Sequence, residues 1–159
     1  HLINDKPEYE SIIVFTSTKK KVSEIVRDLK RANLEAEGIS SDFDQKQREE
    51  VVAKFRAKKT RIVVATDVLS RGIDIKDINL VVNYDVPNDA ADYVHRVGRT
   101  ARANTTGVAI TFINDRDMEN FHDIELLIER EIIKLPVPES VGTSPEWKLP
   151  TKRKGKGRR

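Results

Sequence analysis

The strongest constraint on the fold of this 159-residue chain is a regular alternation between short apolar runs and longer segments with helical spacing. The runs cover residues 11–16, 34–39, 61–66, 79–85 and 107–113. Most of them are rich in β-branched residues and too short for a buried helix, so they predict strands. The run at 34–39 gives the weakest signal of the five.

The segments between the runs predict helices. In residues 18–31, apolar side chains recur three or four positions apart, which places them on one helix face. Further helices are predicted over residues 45–57, 89–97 and about 115–131. Strands that alternate with helices form βαβ units, whose strands run parallel and whose helices cover the sheet. The predicted fold class is therefore α/β, with a mostly parallel central sheet and helices on both faces.

Composition excludes several classes of protein. The longest purely apolar run, Ile12–Phe15, is far too short to span a membrane, so no membrane partner is expected. The chain has no cysteine, which excludes disulfides and thiolate metal sites and agrees with a reducing cytoplasm. It lacks an initiator methionine, so it is expected to be a piece of a longer protein.

The net charge of +3 is unevenly distributed. Residues 148–159 carry seven basic and no acidic residues, whereas the rest of the chain carries 22 basic and 26 acidic ones. This tail is predicted to be disordered, either as a solubilising end or as an arm that binds nucleic acid through phosphate charge. Together with a proline-rich irregular stretch it forms a predicted segment 136–159, after one folded domain at 1–135.

Polar clusters follow three of the predicted strands. They are Thr16-Ser17-Thr18, Ser40-Ser41-Asp42 and Thr66-Asp67. Any one of them is readily explained as a helix N-cap. Three along the carboxyl edge of one sheet favour a row of phosphates instead, because helix N-termini offer free N–H groups. Gln45 and Arg48, in the first turn of the next predicted helix, lie within reach of the same row.

The segment YVHRVGRTAR at 93–102 concentrates positive charge. His95 and Arg96 are predicted to lie in the last turns of a helix that Gly98 ends, with Arg99 and Arg102 in the loop that follows. Arginine matches phosphate with a planar fork and stays charged. We expect these arginines to face water until an anion from another domain reaches them.

A second segment, VVATDVLSRGIDI at 63–75, has a strand, a polar turn and a tight Gly72 turn. Asp74 could accept hydrogen bonds from sugar hydroxyls. The alternative is a surface turn with a local Arg71–Asp74 ion pair.

Together these segments resemble the second RecA-like domain of DEAD-box RNA helicases over about residues 1–135. SIIVFTSTKK resembles motif IV of that family, Gln45 and Arg48 its QxxR element, VVATDVLSRGIDI its motif V, and HRVGRTAR its motif VI. His95 stands where DNA helicases and DEAH-type helicases usually have glutamine. The chain departs from the family at Ser40-Ser41-Asp42, where His-Gly-Asp or a variant of it is usual.

The resemblance implies a RecA-like three-layer sandwich and a role for each matching residue. Arg99 and Arg102 would touch the β- and γ-phosphates of ATP, with Arg102 as the arginine finger, and His95 would contact the DEAD motif of the N-terminal domain. Gly72 and Asp74 would border the ribose. The residues implied to hold the RNA backbone are Thr18, Asp42, Gln45, Arg48 and Thr66.

Two sequence elements of a complete enzyme are missing. The chain contains neither a GxxxxGK[ST] phosphate loop nor Asp-Glu-Ala-Asp, so ATP and Mg²⁺ would be held mainly by the N-terminal RecA-like domain. The isolated chain is therefore expected to be monomeric and inactive, and its parent to be a cytoplasmic ATP-dependent RNA helicase. Two alternatives stay open: an RNA-binding module without ATPase coupling, and the second domain of a superfamily 2 DNA helicase.

Overall fold

The structure, a computed structural model, describes residues 2–67, 75, 77–102 and 105–148. Five strands form one sheet in which every pairing is parallel. The strands are β1 (Ile12–Phe15), β2 (Ala36–Ile39), β3 (Ile62–Ala65), β4 (Leu80–Asn83) and β7 (Val108–Thr111), in the spatial order β2-β3-β1-β4-β7. A separate antiparallel ribbon joins β5 (Ala101–Arg102) to β6 (Thr105–Thr106).

Four helices are described: α1 (Lys19–Arg31), α2 (Gln45–Arg56), α3 (Ala90–Val97) and α4 (Met118–Leu127). None of the helices within the described ranges combines the length and apolar content needed to cross a bilayer. The predicted alternation of strands and helices, and the predicted α/β class, are confirmed.

Two apolar clusters cover the two faces of the sheet. On one face, side chains such as Ile13, Phe15 and Val63 pack with Val51, Val52 and Phe55 of α2. On the other face, Ile12, Val14, Ile62 and Val64 pack with Val22 of α1. Because alternate residues of each strand point to opposite faces, one β-branched strand supplies both clusters. The result is three layers, with helices on both sides of the sheet.

A third cluster lies between α3 and α4. Tyr93, Phe121 and Ile124 are buried there, and Trp147 packs edge-on against Phe121 at a centroid separation of 6.0 Å. Residues 128–148 contain no helix or strand, yet Trp147 holds the end of this segment against α4. The predicted domain boundary at residue 135 stays a prediction, and the tail beyond residue 148 lies outside the described residues.

One helix ends earlier than predicted, and another ends where predicted but with a different cap conformation. Helix α4 was predicted to reach residue 131, but it ends at Leu127 because Glu129 adopts a left-handed φ of 51°. The N–H of Arg130 then bonds to the carbonyl of Glu125 at 3.1 Å, the pattern of a Schellman cap. Gly98 does end α3, but with a right-handed φ of −58°, so the left-handed freedom of glycine is not used there.

Candidate functional site

The carboxyl ends of the five parallel strands are level with one another. Phe15 pairs with Ala65 on one side and with Asn83 on the other, and Ala65 and Asn83 pair in turn with Ile39 and Thr111. The last residue of every strand therefore lies in one row. Side chains that follow the strands meet at a single edge of the sheet, which is where open parallel sheets bind ligands.

Four polar turns follow this row, in the spatial order 40–42, 66–67, 16–18 and 84–85. The structure thus places the three predicted clusters on one edge. The fourth turn, Tyr84–Asp85, was not identified from the sequence, although it follows a strand in the same way.

Thr18 is the N-cap of α1. Its Oγ1 accepts a hydrogen bond from the backbone N–H of Lys21 at 3.3 Å, which satisfies one of the free donors of the first helical turn. The remaining N–H groups of that turn still point toward the edge. Helix α2 starts at Gln45, as predicted, but its N-cap is Asp44, in a reciprocal capping box with Gln47, and not a residue of the 40–42 cluster.

Two polar atoms at this edge are buried and have no hydrogen-bond partner among the described residues. They are Oγ1 of Thr66 and Nε of Arg48. The Nη2 group of Arg48 makes one long contact, 3.5 Å to the carbonyl of Ser41. A buried polar group without a partner costs about 1–3 kcal/mol, so an external acceptor at this position would be stabilising.

Asp42 and Gln45 make only surface contacts. Asp42 accepts a hydrogen bond from the Lys19 ammonium at 2.9 Å, and Gln45 donates to Glu49 at 2.7 Å. Such exposed pairs are weak and exchange readily for contacts with a ligand. A carboxylate repels phosphate, so Asp42 is better suited to accept a hydrogen bond from a ribose hydroxyl.

Asp85 is the centre of a dense polar cluster. Its Oδ2 accepts hydrogen bonds from Thr16 Oγ1 at 2.6 Å and from the amide and hydroxyl of Ser17 at 3.0 Å, and its Oδ1 lies 2.5 Å from Lys21 Nζ. Burial alone would raise the pKa of the Asp85 carboxyl, but the bonds from Lys21, Thr16 and Ser17 outweigh it and lower that pKa to about 2. The same contact raises the pKa of Lys21. Two residues of the predicted phosphate loop 16–18 therefore already bind an internal anion.

Arg96 is completely buried, which corrects the expectation that all the arginines of the 93–102 segment face water. Its Nε and Nη2 donate to the two carboxylate oxygens of Asp67 at 2.6 and 2.8 Å. Its Nη1 donates to the carbonyl of Asp85 at 3.1 Å, and its guanidinium lies 5.3 Å from the ring centroid of Phe15. The positive charge is compensated inside the protein, so no external anion is needed for this residue.

The other three residues of the charged segment are placed differently. The His95 side chain is 59% exposed, with Nδ1 4.0 Å from an Asp92 carboxylate oxygen. Arg99 is half-buried just after α3, and its carbonyl accepts from the Ile78 amide. Arg102 lies on the β5 ribbon instead of in a loop, and nothing of its side chain is described. Gly72 and Asp74 fall outside the described residues.

Comparison with known proteins shows which family has this sequence and fold. Residues 1–104 match the family described as "Helicase conserved C-terminal domain". The structure of the Escherichia coli DEAD-box protein SrmB, solved in complex with regulator of ribonuclease activity A, is 31% identical with a TM-score of 0.81. That match covers 95% of this chain and 88% of the SrmB chain. This chain belongs to the C-terminal RecA-like domains of DEAD-box helicases.

Other relatives of this helicase domain are more similar in sequence. DEAD-box ATP-dependent RNA helicase 46 of Arabidopsis thaliana is 46% identical over 125 residues, which are 79% of this chain and 19% of that protein. A DEAD-box protein of Methanococcus jannaschii is 41% identical with a TM-score of 0.77, over 84% of this chain and 37% of that one. The domain spans only 19–34% of the length of the curated relatives it matches.

Reasoning from the sequence did not predict the internal roles of two residues at this edge, Arg96 and Asp85. The signal for Arg96 was present, since it lies three residues after the apolar Tyr93 and so on the buried face of α3. The signal for Asp85 was its position directly after a strand. Neither residue's partner is close in sequence, because Arg96 and Asp67 are 29 residues apart and Asp85 and Thr16 are 69 apart.

Proposed function

We propose that this chain is the half of an ATP-dependent RNA helicase that holds one stretch of the RNA backbone and completes the ATP site of the N-terminal domain. One observation carries the proposal. The level strand ends place Thr66 Oγ1 and Arg48 Nε, two buried polar atoms without partners among the described residues, on the same edge as the N-terminus of α1.

The RNA half of the function uses backbone recognition. The α1 N-terminus, Thr66 and the Arg48 guanidinium offer donors to phosphate oxygens, while Asp42 and Gln45 suit ribose hydroxyls. Contacts of this kind read shape and sugar instead of base identity, so binding is indifferent to sequence and favours RNA over DNA. Thr18 contributes by fixing the start of α1.

The ATP half rests on Arg99 and Arg102, which follow α3 in the chain. Arginine donors fit the β- and γ-phosphates, and Arg102 serves as the finger that stabilises charge on the transferred group. His95 meets the N-terminal domain, and Gly72 and Asp74 border the ribose. The Mg²⁺ that accompanies ATP is assigned mainly to the N-terminal domain, because this chain contains neither a phosphate loop nor Asp-Glu-Ala-Asp.

The test compares the full-length protein with the isolated chain. The full-length protein should hydrolyse ATP faster with RNA than with DNA of the same sequence, and should separate RNA duplexes. The isolated chain should bind RNA but show no ATP turnover above background, because it has no phosphate loop. Equal stimulation by DNA would favour a DNA helicase, and RNA binding without any ATPase in the full-length protein would favour a simple binding module.

A further inference from the structure

The side chain of Arg96 contacts the ends of three of the five strands in the sheet, and Asn83 connects it to a fourth. Its two carboxylate bonds hold Asp67 after β3, and its Nη1 holds both Asn83 Oδ1 at 3.4 Å and the Asp85 carbonyl after β4. Asn83 extends the network to β7 through a 3.1 Å bond to Thr111. The guanidinium also lies over the ring of Phe15, the last residue of β1, at 5.3 Å from the ring centroid.

Stability alone is a poor explanation for this network. The Arg96 side chain is only 1% exposed, against 31% for Asp67, so the pair removes the arginine charge from water. Replacing a buried ion pair by apolar residues is often neutral or stabilising. What a bidentate pair fixes well is direction, because the planar guanidinium fork and the carboxylate are held in one relative orientation. The network is therefore best suited to orienting the chain segments that it joins.

The segment that most needs orienting is the turn after β3. The sheet holds this turn as far as Thr66, whose amide donates to the Ile39 carbonyl at 3.3 Å. The next fixed point is the Asp67 carboxylate, which accepts two hydrogen bonds from Arg96. Thr66 Oγ1, assigned above to the RNA backbone, lies directly between these two anchors.

The other end of the network leads toward the ATP side. Arg96 is in the last turn of α3, and Arg99 follows three residues later, with its amide bonded to the Arg96 carbonyl at 3.2 Å. One buried side chain thus connects the segment that carries Thr66 with the segment that carries Arg99. We expect a shift of one segment to reach the other through this contact.

We propose that Arg96 is a positioning residue, which through Asp67 fixes the Thr66 turn for RNA relative to the Arg99 segment. This role rests on the function proposed above. Arg96 touches neither RNA nor ATP, and it acts by keeping the RNA-facing donors in place before RNA arrives. A displacement of such groups by about 1 Å is enough to cost about a hundredfold in an optimised site.

The test is RNA-stimulated ATP hydrolysis by the full-length protein carrying R96K, measured as a function of RNA and of ATP concentration. Lysine keeps the positive charge but cannot donate the two parallel hydrogen bonds that the guanidinium gives to Asp67. The half-saturating RNA concentration should rise about tenfold to a hundredfold, while KM for ATP changes less than about threefold. A purely structural role would lower the fraction of active protein, and with it kcat, without moving the RNA dependence.

The matched control is R31K. Arg31 pairs with Asp28 at 3.6 Å on the exposed end of α1, and its side chain is 72% exposed. This variant should keep the RNA dependence of the unsubstituted protein. An equal rise in the half-saturating RNA concentration for R31K and R96K would overturn the assignment.

A second set of variants covers the case in which R96K does not fold. D67N/R96Q removes both charges together and leaves no buried charge without a partner. The double variant should show the same rise in the half-saturating RNA concentration as R96K. That rise should be much smaller than the product of the rises measured for D67N and R96Q separately. Independent, multiplying effects, or normal RNA dependence in R96K, would overturn the positioning role alone. Absence of RNA binding by the unsubstituted protein would instead overturn the proposed function and this role together.

Discussion

Two ion pairs, each with one buried partner, lie at different places in this domain. Arg96 and Asp67 meet at the carboxyl edge of the sheet, and Lys134 and Glu125 meet where the segment after α4 folds back on that helix. Both cations lie over aromatic rings, Arg96 at 5.3 Å from Phe15 and Lys134 at 4.7 Å from Trp147.

The two pairs differ in what they hold. Glu125 also accepts the Ile132 amide at 2.7 Å, so the Lys134 pair closes the end of α4 and keeps Trp147 on the third apolar cluster. Arg96 instead joins turns that face the proposed ligands. The same chemical unit thus supports stability in one region and orientation in the other, and its role follows from the segments attached to it.

The largest effect is expected at Arg102, on the β5–β6 ribbon and outside both pairs. In the full-length protein, R102A should reduce RNA-stimulated ATP hydrolysis by about a thousandfold or more, because a finger arginine stabilises charge in the transition state. Steady-state turnover with circular dichroism as a check on folding measures this. R31A is the control, since Arg31 is exposed on α1. A loss of less than about tenfold would show that Arg102 is not the finger.

The Lys134 pair should respond in stability and not in activity. E125A should lower the free energy of unfolding by about 1–3 kcal/mol, because the Lys134 ammonium and the Ile132 amide both lose a buried acceptor. Urea titration measures the change. E131A provides the comparison: Glu131 lies 3.8 Å from the same ammonium but is 89% exposed, so its loss should cost less than about 0.5 kcal/mol.

RNA-stimulated ATP hydrolysis by full-length E125A and R96K separates the two regions. E125A should leave the half-saturating RNA concentration unchanged, whereas R96K should raise it. A shift in RNA dependence for E125A would mean that the two pairs do not divide stability and orientation between them.

A smaller, pH-dependent effect is expected for Asp85. Because its folded-state pKa is lowered to about 2 from an ordinary value of 3.8, its contribution to stability is present above about pH 4 and is lost as the pH falls toward 2. That contribution should be about 1–2 kcal/mol for a carboxylate that is partly screened by water.

Urea unfolding of D85N and the unsubstituted chain at about pH 7, 4 and 2 tests this. The difference in unfolding free energy should be largest at neutral pH and shrink toward zero in acid. D28N, at an exposed site on α1, should show no such dependence. A constant difference across the series would mean that the Asp85 charge is not what its neighbours stabilise.

The smallest effect at physiological salt is expected from the basic tail. If residues 148–159 neutralise about four phosphates of a single strand, they contribute about −2.8 to the slope of log affinity against log salt. Removing them should flatten the slope and weaken RNA binding mainly at low salt, without changing any discrimination linked to ATP. Salt titrations of chains 1–147 and 1–159 measure this, and superimposable slopes would show that the tail does not touch phosphate.

The sequence by itself determined the kind and order of the elements. Local spacing distinguishes strands from helices, since a side-chain period of two or of 3.6 is written into neighbouring residues. The alternation then required a parallel sheet covered on both faces, and the clusters after β1, β2 and β3 had to share an edge once the strands were parallel. The motifs indicated the helicase family from the sequence alone, because each motif is a short pattern of neighbouring residues and the motifs follow one another in the family's order.

Tertiary structure alone decided which charges are buried and which polar groups are already used. Arg96 appeared in the sequence as one arginine among three, and only the approach of α3 to the ends of β3 and β4 made it an internal link to Asp67. Thr16 and Ser17 appeared free for phosphate until β4 was placed beside β1, which brought Asp85 to them. The partners in each case are separated by 29 to 69 residues, so the strand order of the sheet, and no local pattern, brings them together.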